Sequence, residues 1–119
     1  MQLALMAIGK MKDKQTRSLF EHYWQRFSQS SKAVGLRVLP IQEFAESQAA
    51  TPFQRKQEEA ARILKALPSD TFVIALDETG SHLNSEEFCH KIASLRDNAT
   101  CSTTFVLGGP DGHLSLIHI

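Results

Sequence analysis

The chain has 119 residues, 42% of them hydrophobic and 22% charged, which bounds it to one ordinary globular domain. Thirteen basic residues balance thirteen acidic ones, so bulk charge alone cannot hold nucleic acid, although a local basic face is compatible with that balance. The two cysteines, Cys89 and Cys101, have no metal-ligand spacing and read as reduced thiols of a cytosolic protein, and no apolar run is long enough to span a membrane.

Leu3 to Ile8 is a continuous apolar run closed by Gly9, too short and without the basic start that a signal peptide needs. It predicts a strand covered on both faces. From Thr16 the period becomes helical, with Leu19, Phe20, Tyr23, Trp24 and Phe27 on one stripe. That stripe predicts a core face, and the serines from Ser28 to Ser31, with Lys32 and Gly35, predict the helix end. Leu36 to Ile41 predicts a second strand, with Pro40 marking an edge or the strand's end. Glu43 to Ala50 predicts a polar loop.

Thr51, Pro52 and Gln54 form a helix start, the threonine as cap and the proline in the first turn. The helix carries Ala60, Ala61, Ile63, Leu64 and Leu67, and Pro68 stops it. Thr71 to Leu76 predicts a third strand. Ser85 predicts the cap of a third helix, with Glu86 and Glu87 at its positive end and Phe88, Ile92 and Leu95 on its buried stripe. Cys89, beside Phe88, is expected to be partly buried. Thr103 to Leu107 predicts a fourth strand, apolar on both faces like the third. The alternation of strands and helices predicts an α/β fold, a mainly parallel sheet with helices on both faces.

Two loops follow the last two strands: Asp77-Glu78-Thr79-Gly80 and Gly108-Gly109-Pro110-Asp111-Gly112. Glycines there let a ligand approach the backbone, and open α/β sheets bind ligands at the carboxyl ends of their strands. Taken alone, the second loop is as well explained by a tight turn. It is neither a P-loop nor a dinucleotide fingerprint, lacking the Gly-Lys-Ser/Thr of the one and following the last strand rather than the first. Asp77 and Glu78, adjacent in a loop, read as a turn residue and a solvated acid rather than a catalytic pair. His22, His82, His90, His113 and His118 have no metal spacing, and neither cysteine has a nucleophile's signature. Arg55, Lys56, Arg62 and Lys65 alternate with Glu58 and Glu59 as on a solvated helix face. Arg17, Arg26, Lys32 and Arg37 offer a basic rim for RNA, though the neighbouring aromatics read as core.

In combination these pieces are more specific. The segments Leu3 to Gly9, Tyr23-Trp24-Gln25-Arg26-Phe27, Gln57-Glu58-Glu59-Ala60, Ala75-Leu76-Asp77-Glu78-Thr79-Gly80, Ser85-Glu86-Glu87-Phe88 and Phe105 to Gly112 follow one another in a recognisable order. From Met1 to about His113 the chain resembles the ribosomal RNA large subunit methyltransferase H family, the smallest members of the SPOUT class of knotted methyltransferases. The resemblance implies transfer of a methyl group from S-adenosylmethionine to N3 of a pseudouridine in 23S ribosomal RNA, by a cytoplasmic homodimer acting on the assembled ribosome, with no metal. It implies that Leu76 touches the cofactor and that Gly108, with Gly109, lets the backbone approach it. It names no general base. The family's pattern continues with a further helix, strand and cofactor loop and a knot-forming helix. Residues 114–119 resemble none of these, so residues 1–113 are expected to be an incomplete SPOUT domain, followed by a non-native tail. An incomplete copy is expected to bind the cofactor weakly and to expose apolar surface. The rival expectation is a non-enzymatic α/β module that docks on RNA or protein and uses the glycine loop only as a turn; a nucleotide-binding flavodoxin-like domain is the third.

Overall fold

The computed structural model describes residues 1–76 and 82–108. In chain order they form strand β1 (Gln2–Ile8), helix α1 (Lys14–Ser31), a 3-10 turn (Lys32–Val34), strands β2 (Arg37–Val38) and β3 (Gln42–Phe44), helix α2 (Pro52–Ala66), strand β4 (Thr71–Leu76), helix α3 (Ser85–Asp97) and strand β5 (Ser102–Leu107).

All pairings are parallel. The order is β2-β1-β5-β4, with β3 extending β2 along the same edge of β1. Handedness then assigns the helices. The step from β1 through α1 to β2 and the step from β4 through α3 to β5 run in one direction across the sheet. The step from β3 through α2 to β4 runs in the other. Since such crossovers are right-handed, α1 and α3 share one face and α2 takes the opposite one. Packing agrees. On the α2 face, Ile63 and Ala60 meet Met6, Ile8, Ala75 and Val106, all buried. On the other, Phe88 of α3 lies against Phe105 of β5, ring centroids 5.8 Å apart.

The second predicted strand is two strands. Pro40 has no N–H for a ladder, so pairing stops at Val38 and resumes at Gln42. Glu43 and Phe44, expected in a loop, therefore belong to β3. Helix α1 starts two residues before Thr16, because Asp13 accepts from the Thr16 N–H and from its hydroxyl at 2.6 Å. The serines expected to end α1 lie in its last turns, where Ser28 and Ser30 donate back to the Trp24 and Arg26 carbonyls. Thr51 caps α2 as expected, accepting from the Gln54 N–H. Asn84 rather than Ser85 caps α3, accepting from the Glu87 N–H at 2.8 Å.

Burial expectations fail on both α1 and α3. The stripe on α1 faces the sheet only in part: Phe20 and Trp24 are half-buried, while Leu19 and Tyr23 are 58% and 61% exposed. On α3 the expected buried stripe is half-buried at Ile92 and Leu95 and 41% exposed at Phe88, since α1 and α3 leave a groove open between them, and Cys89 is exposed. Strand β5 is less apolar inside than its sequence position implied. Ser102, Thr103 and Thr104 are all buried, and the Thr71 hydroxyl bonds those of Ser102 and Thr104 at 2.9 and 2.8 Å. Mutual pairing removes most of the cost of burying these groups.

Candidate active site

The parallel register sets which residues meet at the carboxyl ends of the strands. Leu76 ends β4 opposite Leu107 of β5, and Ala7 of β1 pairs with Leu107 from the other side. Gly108 follows directly. Leu76 and Gly108, predicted site residues from separate segments, are thus brought to one end of one sheet. Leu76 is 44% exposed and lies at the rim of an apolar groove between α1 and α3, with Phe20, Tyr23, Trp24, Phe88 and Phe105. The groove has a volume of ≈ 310 Å³. Gly109, Asp77 and Glu78 lie outside the described residues.

Beside this pair lies a feature that sequence reasoning missed. The loops after β1 and β3 leave neighbouring strands toward opposite faces, one into α1 and the other into α2. Such a divergence is where α/β sheets open a crevice. Gly9 begins the first loop with φ +98, and a Cβ there would stand 3.2 Å from Glu46 Oε1. Glu43, the middle residue of β3, holds the same loop. Its Oε2 accepts the Met11 N–H at 2.8 Å and its Oε1 accepts from Arg17 at 2.9 Å, while Arg17 Nε donates to the Met11 carbonyl. The Met11 N–H, more than the Arg17 guanidinium, holds the Glu43 carboxyl below its ordinary range, against the opposing effect of partial burial.

The second loop is fastened from α2. Ser47 donates its N–H to Glu59 at 3.0 Å and its hydroxyl to Glu58, and Arg62 and Arg55 donate to the carbonyls of Ala45 and Ala49. Glu59, expected on a solvated face, is therefore buried. Its Oε1 has no partner among the described residues. Among the described residues, no cluster of histidine, cysteine and acidic side chains could hold a metal ion. No helix of the described residues is long and apolar enough to cross a membrane.

A family model described as a predicted SPOUT methyltransferase matches residues 1–117. The chain belongs to the SPOUT methyltransferase family. Among its SPOUT relatives, the protein named Ribosomal RNA large subunit methyltransferase H from Bartonella tribocorum is 41% identical over 113 residues, covering 95% of this chain and 71% of the relative. The proteins of the same name from Bartonella bacilliformis and Rhizobium johnstonii are 42% and 39% identical, over 95% and 94% of this chain and 71% and 70% of their own lengths. The parallel sheet with helices on both faces fits this SPOUT assignment. Membership also gives the meeting of Leu76 and Gly108 a chemical context, since enzymes of this family transfer methyl groups.

Proposed function

We propose that this protein is a ribosomal RNA large subunit methyltransferase that takes its methyl group from S-adenosylmethionine and places it on N3 of a pseudouridine in 23S ribosomal RNA. Its named relatives support the substrate class. The observation that carries the site is the register that ends β4 at Leu76 beside Leu107, with Gly108 next in the chain. Leu76 offers an exposed apolar surface to the adenosyl part of a donor. Gly108 has no Cβ to keep a ligand from the backbone.

The donor's sulfonium makes the methyl group electrophilic without help from a metal or an acid. The protein's part is then to orient the acceptor nitrogen. The new N–C bond forms as the S–C bond breaks, the sulfur keeps that electron pair, and the N3 proton must pass to a base. In this reading the enzyme works in the cytoplasm as a homodimer, joined through the apolar face that α1 and α3 leave half-covered.

The test is methylation of purified bacterial large ribosomal subunits or whole ribosomes by the protein expressed from its genomic reading frame, with radiolabelled donor. Label is expected at one pseudouridine of 23S RNA. Absence of label from both substrates would refute the reading. The variant Gly108→Val is expected to stay folded and lose incorporation.

A further inference from the structure

We infer that the loop from Lys10 to Lys14 is a contact for the phosphodiester backbone of the RNA substrate, an inference that rests on the ribosomal RNA reading above. Lys10, Lys12 and Lys14 are all exposed. Among the described residues no ion pair reaches any of them. With net charge zero, any hold on RNA has to come from such a local concentration of charge.

Their position is unfavourable for stability. Lys12 and Lys14 flank the start of α1, where the helix dipole is positive, and the first turn carries no acidic residue. Cations there are repelled, and acids would be the stabilising choice. An anionic partner turns that repulsion into attraction. The loop's own carboxylates supply one only in part: Lys10 lies near enough to Glu43 to help hold that carboxyl low, whereas no ion pair among the described residues reaches Lys12 or Lys14. Asp13 is turned onto Thr16, and Glu43 is occupied by Met11 and Arg17. Glu46 lies over Gly9.

Placement and rigidity favour the same conclusion. The loop leaves β1 at the end of the sheet where Leu76 and Gly108 meet, so RNA held there stands next to the proposed donor site. The bonds from Glu43 and Arg17 fix its backbone before any partner arrives, which lowers the ordering cost of binding. Beyond Lys14 a shallow groove of ≈ 550 Å³ follows the first turns of α1, lined by Gln15, Ser18, Leu19 and His22. Arg26 and Arg37 are exposed too but lie toward the opposite end of the strands, and three other arginines are less available. Arg17 serves Glu43, while Arg62 and Arg96 donate to the carbonyls of Ala45 and Val34.

The test compares the wild-type protein, expressed from its genomic reading frame, with the triple variant Lys10→Gln, Lys12→Gln, Lys14→Gln. Binding to whichever purified ribosomal particle the wild type methylates is measured by sedimentation between about 50 and 200 mM salt. The variant is expected to bind roughly tenfold or more weakly, and the slope of log affinity against log salt is expected to fall by about 2, from roughly 0.7 for each lost phosphate contact. Affinity for S-adenosylmethionine should be unchanged and the melting temperature should not fall. A control variant, Arg26→Gln with Lys32→Gln and Arg37→Gln, removes equal charge from the opposite end of the strands and should keep the wild-type slope. The inference is overturned if the lysine variant keeps the wild-type slope, if the control loses as much, or if the lysine variant melts lower. A wild-type protein that methylates neither subunits nor ribosomes takes down the functional reading as well, whereas methylation with an unchanged variant slope takes down the inference alone.

Discussion

Arg17 and Glu43, 26 residues apart, meet at 2.9 Å across the carboxyl ends of β1 and β3. The glutamate also accepts the Met11 N–H, so one side chain joins a strand end, a loop and a helix start. Its side chain is only 14% exposed. Glu43→Ala leaves a part-buried N–H and a guanidinium without their acceptor and should cost about 2 kcal/mol in urea unfolding.

The pH dependence has a definite sign. The folded carboxyl of Glu43 titrates below its unfolded value, so its contribution is complete above the ordinary glutamate pKa of about 4.3 and is lost as pH falls through the folded value. Glu43→Gln cannot titrate. Its melting temperature should therefore fall less steeply than that of the wild type over this acid range. Asp13, also held low by Thr16, leaves a residual slope in both proteins. Equal slopes would show that Glu43 is not held as the structure has it.

Gly9 and Gly35 separate two reasons for glycine. Both have positive φ, but a Cβ at Gly35 meets nothing within 4 Å, while one at Gly9 meets Glu46 Oε1 at 3.2 Å. Gly35→Ala should cost about 1 kcal/mol from backbone strain alone. Gly9→Ala should cost somewhat more, about 1–3 kcal/mol, and should disturb the loop to Asp13. Chemical denaturation of the two variants measures the difference.

The two faces of α2 should respond very differently to truncation. Ile63 is fully buried among Met6, Ala75 and Val106, whereas the next residue, Leu64, is exposed. Ile63→Ala should cost about 2–5 kcal/mol, and Leu64→Ala less than about 1. Similar losses would mean that Leu64 is covered in solution.

The α1–α3 face should be adhesive. Tyr23, Phe27 and Phe88 are all exposed beside an apolar groove, a pattern that marks interaction surfaces. Light scattering should show concentration-dependent association, and Tyr23→Glu with Phe27→Glu should shift it toward monomer. A monodisperse wild-type monomer would contradict this.

These contrasts explain what was legible in the sequence. Strands such as Leu3 to Ile8 and helix starts such as Thr51-Pro52 are local signals, and they appear as expected. Pro40 signalled an interruption, but a three-residue strand beyond it is too short for a period to show. The α1 stripe identified which face is apolar. Periodicity cannot say whether a partner covers that face, and for Leu19 and Tyr23 nothing described does. The site divides the same way. Glycine after an apolar strand makes Gly108 a candidate from sequence, whereas the meeting of Arg17 with Glu43 depends on parallel register, that of Ser47 with Glu59 on how the loop folds back on α2, and neither has a local trace.

The account turns on the carboxyl ends of β4 and β5 forming the donor site, and calorimetry addresses that directly. S-adenosylmethionine titrated into the protein expressed from its genomic reading frame should give saturable heat, and Gly108→Val should abolish it while leaving the circular dichroism spectrum intact. No binding by the wild type, or undiminished binding by Gly108→Val, would contradict the account.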